Sequence, residues 1–134
     1  MGIKMIHHVC IQTEKYKESL DFYTRLLGFE IVSETENFHN REYNTWLKLG
    51  NFMIELQTPK SEDKFKKWSS LNEGPVHMGF LVHNVEEEYK RIIDLGYSDF
   101  KIKNGKVIYK VEGESLFKMK APEGTEIEIR DTDI

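Results

Sequence analysis

Two histidines and two glutamates occupy matching places in the two halves of the chain. His8 precedes Glu55 by 47 positions, and His77 precedes Glu128 by 51. Imidazole nitrogens and carboxylate oxygens are ligands of divalent first-row metals such as Ni, Co, Zn or Fe. Four such groups gathered without a cation would repel one another or lose hydration at a cost. We therefore interpret these four residues as a candidate metal site, with water in its open positions.

Each candidate ligand lies in a short segment with a strand pattern. Apolar residues flank both glutamates, as in Met53-Ile54-Glu55-Leu56 and Glu126-Ile127-Glu128-Ile129. Because alternate side chains of a strand face opposite sides, the sheet is predicted to have one apolar and one polar face. The same rule predicts that the adjacent His7 and His8 point in opposite directions. If the two halves pair about a pseudo-twofold axis, the four candidate ligands converge there.

The segments that follow the two histidines have helical patterns. In the first half, apolar residues recur at steps of four, three and four, and the helix is predicted to end at Gly28. This stripe consists of Tyr16, Leu20, Tyr23 and Leu27. In the second half, Asn84 and Glu87 have the spacing of a capping box, and Gly96 is the predicted end.

Short β-branched or alternating runs between glycine and proline turns predict the remaining strands. These runs are Tyr43 to Leu49, Asn51 to Gln57, Val107 to Glu112, Leu116 to Lys120 and Glu126 to Arg130. Each half is then a strand, a helix and about three strands. Residues 59–75 form a predicted linker, in which Phe65, Trp68 and Leu71 recur at helical spacing. We therefore expect a short helix in the linker.

Composition narrows the possible functions. The 134 residues carry 19 Lys and Arg against 23 Asp and Glu, and this net charge of -4 is unfavourable for binding a nucleic-acid backbone. No apolar run approaches the roughly 20 residues that span a bilayer, and the first residues lack a secretory signal pattern. We therefore expect a cytoplasmic protein without nucleic-acid or membrane partners. The single cysteine, Cys10, lies in an apolar run and is predicted to be a buried, inert thiol.

Several motifs resemble those of the vicinal oxygen chelate (VOC) superfamily. They are the openings Ile6-His7-His8-Val9 and Val76-His77-Met78-Gly79, the helix end from Asp21-Phe22-Tyr23 to Leu27-Gly28-Phe29, and Ala121-Pro122-Glu123-Gly124 ahead of Glu128. The resemblance implies an α+β fold, in which two βαβββ modules form a cup-shaped mixed sheet with helices outside. Residues 1–134 would be one domain, with modules at 1–58 and 76–134 joined by the linker 59–75.

The resemblance also implies a metal-dependent enzyme. The superfamily's ligand positions fall on His8, Glu55, His77 and Glu128, which would hold one divalent ion such as Ni, Co or Zn. The complete four-ligand set is similar to that of glyoxalase I, a lactoylglutathione lyase, which isomerises a hemithioacetal through a metal-stabilised enediolate. Glu55 or Glu128 would be the catalytic base. The substrate is expected to be a small molecule, the thiol adduct of a 2-oxoaldehyde, and no organic cofactor is assigned.

Two features keep alternatives open. Gln12 and Pro59 stand where glutathione-using bacterial glyoxalases typically carry arginine and asparagine, so the thiol is unassigned. The run from Glu55 to Asp63, followed by Gly74-Pro75-Val76-His77, resembles methylmalonyl-CoA epimerase, which acts on an acyl-thioester. A third alternative is a binding protein that sequesters a small molecule, such as an antibiotic, in the same cup.

A homodimer is expected, with the two modules paired within one chain.

Overall fold

A computed structural model describes residues 1–132, and the chain divides into two structural units. The first unit is Met1–Lys67, and the second begins at Trp68. The boundary between the units therefore falls inside the predicted linker, residues 59–75. Each unit contains a four-stranded sheet in which the first and last strands are parallel neighbours. Helices and mixed sheets together give the α+β class predicted from the sequence.

The first unit has the predicted order of strand, helix and three strands. Its elements are β1 (His8–Gln12), α1 (Tyr16–Asp21) followed by a π-helical turn (Phe22–Leu26), β2 (Glu30–Phe38), β3 (Arg41–Leu49) and β4 (Phe52–Gln57). The strand order is β1-β4-β3-β2, with β1 parallel to β4 and the other pairs antiparallel. Because a tight turn cannot join parallel strands, the helix and two strands carry the chain from β1 to β4.

The second unit repeats this order. Its elements are β5 (His77–Leu81), α2 (Val85–Asp94), β6 (Tyr109–Val111), β7 (Glu114–Lys120) and β8 (Glu126–Arg130). The strand order is β5-β8-β7-β6, with β5 parallel to β8. The internal repeat seen in the sequence is therefore a repeat of the βαβββ unit.

One face of each sheet forms the core of its unit. Ile54 and Leu56 on β4, and Ile127 on β8, are buried, whereas the glutamates between these apolar positions face the other way. Full burial of such a side chain contributes about 1.5–3 kcal/mol. The alternation predicted for both glutamate segments is confirmed.

Strand β2 is the element of the first unit for which the sequence pattern predicts no boundaries. Almost all of its side chains are exposed, and it lies at the edge of its sheet. Alternation identifies a strand only where one face is buried. Strand β2 is held by its antiparallel pairing with β3. A register shift between Ile31 and Ser33 interrupts this pairing.

The predicted apolar stripe of the first helix is largely wrong. Tyr23 is buried as expected, but the other buried side chains of this region are Ser19, Phe22 and Leu26. Together with Tyr23, these positions are spaced three, one and three residues apart, as on one face of a regular helix. The buried face is therefore displaced from the predicted stripe, whose Tyr16, Leu20 and Leu27 are half-buried. Gly28 ends the segment at φ +86°, as predicted.

Helix α2 follows its sequence signals. The Asn84 side chain accepts a hydrogen bond from the Glu87 N–H at 2.9 Å, and Gly96 follows the helix at φ +93°. The cap satisfies one of the N–H groups that lack an intrahelical partner. In residues 1–132, no helix is long and apolar enough to span a membrane.

The short helix predicted in the linker is wrong. Residues 59–75 contain turns and an isolated β-bridge but no helix. The Phe65 N–H donates to Glu14 Oε1 at 2.7 Å, and the Leu71 N–H donates to Ser69 Oγ at 3.1 Å. These side-chain acceptors take the place of helical carbonyls, and this local competition outweighs the apolar spacing.

The turn before β8 gives a prediction about stability. A Cβ on Gly124 would lie 2.8 Å from Trp68 Cβ, and Gly124 has φ +104°. We expect Gly124→Ala to lower the free energy of unfolding by about 2–4 kcal/mol, because overpacking adds to backbone strain. Gly113→Ala is the matched control, since Gly113 has φ +83° but no atom within 4 Å of the added methyl. That control should lose about 1 kcal/mol in urea unfolding. Equal losses in both variants would contradict the packing argument.

Candidate metal centre

The first candidate pair joins β1 to β4. The register places Cys10 opposite Glu55, so His8 lies two positions earlier on the same polar face. His8 Nε2 is 3.6 Å from Glu55 Oε1. The side chains are 35% and 17% exposed, which keeps both groups accessible from solvent.

The second candidate pair joins β5 to β8 in the same way. Gly79 lies opposite Glu128, and His77 again lies two positions earlier. His77 Nε2 is 3.6 Å from Glu128 Oε1, with side-chain exposures of 35% and 12%. The repeat therefore extends from the order of the elements to the register, the donor atoms and their separation.

The donor atoms of each pair are spaced to fit one metal ion. Ligand atoms lie about 2.0–2.2 Å from such an ion, so two ligands stand roughly 3.0–3.6 Å apart at angles between about 90° and 120°. Each pair offers one imidazole nitrogen and one carboxylate oxygen, a set that suits Ni, Co or Zn. Within residues 1–132, no group of three or more His, Cys, Asp or Glu side chains is arranged to hold a metal. The structure thus places each predicted histidine beside its predicted glutamate, one pair in each unit.

The second nitrogen of His8 also has a partner. His8 Nδ1 and His7 Nδ1 are 2.9 Å apart and share a hydrogen bond. The prediction that these two histidines point in opposite directions is therefore wrong. Strand β1 begins at His8, so His7 lies outside the strand and does not follow its alternation. The sequence shows the doublet, but only the strand boundary reveals the contact.

The second nitrogen of His77 faces a carboxylate instead. His77 Nδ1 is 3.9 Å from Glu126 Oε1, on the opposite edge of the ring from Glu128. Glu126 in turn lies 3.0 Å from Lys118 Nζ and 3.8 Å from Lys101 Nζ. In both units, Nε2 of the histidine faces the glutamate of the pair. Nδ1 shares a hydrogen bond with His7 in the first unit and lies 3.9 Å from Glu126 in the second.

The two pairs differ in their immediate neighbours. On β3, Trp46 lies opposite Glu55, and its ring packs edge-on against His8 with centroids 4.7 Å apart. On β7, the corresponding residue opposite Glu128 is Lys118. Glu128 also lies 3.7 Å from Arg130 Nη1. The first pair therefore has an aromatic neighbour, and the second has cationic ones.

The match to known families covers nearly the whole chain. A model of the Glyoxalase/Bleomycin resistance protein/Dioxygenase superfamily matches residues 5–129. The chain belongs to this superfamily. Both His–Glu pairs lie within the matched range, and the family resemblance inferred from the motifs is confirmed.

Individual relatives of this superfamily domain show how far the likeness extends. The uncharacterized protein YwkD of Bacillus subtilis (strain 168) is 29% identical over 98 residues, covering 72% of this chain and 75% of the relative. A glyoxalase family protein from Enterococcus faecalis has a TM-score of 0.76 at 24% identity, covering 98% of this chain and 100% of that one. A lactoylglutathione lyase from Agrobacterium tumefaciens has a TM-score of 0.69 at 16% identity, covering 98% and 96%. At these identities, the two solved structures show a shared fold.

The only cysteine of this superfamily domain lies next to the first pair. Cys10 is exposed, so the prediction of a buried thiol is wrong. Its position on β1 gives it the same polar face as His8, although apolar residues surround it in sequence. Partial desolvation and the negative charge of Glu55 raise the pKa of Cys10 to about 11, and its Sγ donates to Gln57 Oε1 at 3.1 Å. The thiol is therefore protonated at neutral pH, as expected of an inert cysteine.

A polar chain extends from Cys10 across the first sheet. The Gln57 side-chain N–H donates to Asn44 Oδ1 at 2.7 Å. Nearby, Arg41 Nη1 donates to Gln12 Oε1 at 3.2 Å and to the Thr58 carbonyl at 2.7 Å. The sequence analysis missed these contacts, because a spacing of some 29 positions between Gln12 and Arg41 gives no local signal.

The raised pKa of Cys10 predicts a pH profile for the metal-free protein. The rate of alkylation by iodoacetamide should be low at neutral pH and should increase toward pH 11. The pKa of Cys10 is about 11 in the folded chain, compared with an ordinary value of 9.0. Between these values the thiol ionises first in the unfolded chain, so its contribution to stability is present below pH 9 and is lost as the pH rises. Glu55→Gln should lower the pKa and speed alkylation, because it removes a negative charge.

Glu62→Gln is a control for this measurement, since Glu62 is an exposed carboxylate in the same unit. It should leave the alkylation profile unchanged. Rapid alkylation of the unmodified chain at pH 7 would show that the environment of Cys10 has been misassigned.

Proposed function

We propose that this protein is a metal-dependent lyase/isomerase of the glyoxalase type. Its substrate would be the hemithioacetal of a 2-oxoaldehyde and a thiol, and its product the thioester of a 2-hydroxy acid. The observation that carries the proposal is the repeated His–Glu pair, with the same strand register and the same 3.6 Å separation in both units. Each pair places an imidazole nitrogen and a carboxylate oxygen, two ligand types of divalent first-row metals, side by side on a polar sheet face.

We propose that His8, Glu55, His77 and Glu128 together hold one divalent ion, with Ni, Co and Zn as the candidates. When bound, the metal would act as a Lewis acid that stabilises negative charge on the oxygens of the substrate. The 3.6 Å between the two donor atoms of each pair supports this assignment, because it matches the separation of two ligands on one metal ion. Membership of a superfamily whose members are often metal-dependent enzymes also supports it.

The partners of the histidine rings support metal binding through Nε2. For His8 Nε2 to be free of its proton, the proton must lie on Nδ1, where His7 Nδ1 can accept it. For His77, the carboxylate of Glu126 lies on the Nδ1 side and favours the same tautomer. We therefore assign His7 and Glu126 as positioning residues, which orient the rings without touching substrate.

We propose that Glu55 or Glu128 is the catalytic base. The carboxylate would take the proton from the carbon that bears the sulfur and return it to the neighbouring carbonyl carbon, while the hydroxyl proton passes to the other oxygen. The reaction then gains and loses no atoms. Both carboxylates, 17% and 12% exposed, can be reached by a substrate at the polar sheet face, as a base must be.

Two alternatives use the same residues differently. A methylmalonyl-CoA epimerase-like enzyme would move a proton on the carbon next to an acyl-thioester, again with a carboxylate as base. A sequestering protein would bind a small molecule without turnover, and the Trp46 ring beside His8 favours this alternative because it offers an aromatic surface for a ligand. We also propose that the protein is a homodimer, as is common for this fold.

Metal content is the first test of the four-ligand assignment. Protein purified without chelator should contain about one Ni, Co or Zn per chain by elemental mass spectrometry. His8→Ala and His77→Ala should each lose it, since a missing ligand typically costs well over tenfold in affinity. Matched controls are His39→Asn, which suits the positive φ of a turn residue in the first unit, and His83→Ala in the second. A chain that neither contains nor takes up metal would favour the sequestering protein.

A turnover assay tests whether Glu55 or Glu128 is the catalytic base. Glu55→Gln and Glu128→Gln should be assayed with the methylglyoxal adducts of several thiols by following thioester absorbance. Loss of the base should lower kcat by roughly 10²–10⁴-fold. Metal content measured on the same samples separates a lost base from a lost ligand. Glu36→Gln, on the exposed strand β2, is the control and should keep full activity. Full turnover in both site variants would refute the proposed mechanism.

A further inference from the structure

A cavity in the second unit collects basic side chains that the metal centre does not use. It has a volume of about 470 Å³, and its lining includes three lysines, Lys103, Lys106 and Lys110. None of these three forms an ion pair with a carboxylate of the described residues, and Glu86 is the acidic residue in the lining. The cavity thus holds two positive charges in excess on a chain whose net charge is -4.

The backbone places two of these lysines side by side. Lys103 and Lys106 are paired in an antiparallel bridge, with reciprocal hydrogen bonds of 2.9 and 3.0 Å. The two residues between them, Asn104 and Gly105, have φ of +51° and +76°, the pattern of a tight hairpin turn. Like charges directly opposite each other in such a pair are destabilising. An anion bound between the two ammonium groups would remove this repulsion.

Neutral groups complete the lining. Lys103 Nζ lies over the ring of Tyr109, 5.1 Å from its centroid, which fixes the position of that ammonium group. Ser115 and Tyr109 contribute hydroxyl groups, and Ile108 contributes an apolar side chain. Desolvation raises the pKa of Tyr109, and among its charged neighbours Lys118 lowers this pKa while Glu126 and Glu128 raise it.

We infer that this cavity binds the phosphoryl group of a small organic phosphate. A phosphate monoester is a dianion and would balance the two excess charges, and its three terminal oxygens match three ammonium donors. A carboxylate offers only one charge and two oxygens. The volume of the cavity exceeds that of a phosphate ion, and Ile108 with the Tyr109 ring provides an apolar surface for the organic part.

The test is a titration of metal-free protein with phenyl phosphate and, separately, with inorganic phosphate. Binding should be followed by calorimetry and by amide NMR shifts. We expect phenyl phosphate to bind more tightly, with the largest shifts between residues 103 and 115 and an affinity that falls with added salt. Equal affinity for the two probes would overturn the ester assignment in favour of free phosphate. Shifts spread evenly over all exposed lysines would overturn the site itself.

Charge-removing variants locate the binding. Lys103→Gln/Lys106→Gln should weaken phenyl phosphate binding by about tenfold or more, because two charge-assisted contacts are lost. Lys66→Gln/Lys67→Gln removes the same charge from exposed positions of the first unit and should bind normally. Unchanged affinity in the first double variant would refute the inference. Circular dichroism of both variants checks the fold.

A further control separates phosphate binding in the lysine cavity from binding at the proposed metal centre. The titration is repeated with His77→Ala, in which the proposed metal site is broken. Retained binding of phenyl phosphate assigns it to the lysine cavity. Loss of binding in this variant alone would place the phosphate at the metal ligands and overturn the inference, without bearing on the proposed enzymatic reaction.

Discussion

The parallel pairing of the first and last strands within each unit is the constraint on which the rest depends. It places a histidine from one strand beside a glutamate from the other, although the two are about 50 positions apart in sequence. Parallel neighbours require a long crossover. The helix and the two intervening strands provide it, and their buried faces hold the pair of strands in register. The chemistry at the sheet surface is therefore maintained by packing on its other side.

The register of the strands, more than their amino-acid composition, determines which side chains reach the polar face. In a strand, a slip of one residue transfers every side chain to the other face. For β8, such a slip would bury Glu128 in the core and expose Ile127 and Ile129, at a large cost in free energy. The apolar residues on either side of each glutamate thus fix the carboxylate on the polar face. A buried core and an exposed ligand set are two results of one alternating pattern.

The parts that could be predicted are those whose signals are local or repeated. The cap of α2 depends on Asn84 and Glu87, three positions apart, and the alternation around Glu128 is visible in five residues. Strand β2 was missed because an exposed edge has no buried face to mark it. The His7 contact depends on where β1 begins, and the linker helix was displaced by side-chain acceptors that lie outside the helical pattern. Cys10 is exposed because strand alternation, and not the polarity of its sequence neighbours, decides which face a side chain takes.

The distribution of tryptophan has a practical consequence. The chain has two tryptophans, and each unit has one: Trp46 packs edge-on against His8, and the Cβ of Trp68 lies close to Gly124. Intrinsic fluorescence is therefore the sum of two local signals, and replacing either indole isolates the other. An open-shell ion such as Ni or Co bound beside an indole quenches its emission. The unlabelled protein thus carries its own optical sensor for the state of the first pair, with the second tryptophan as an internal reference.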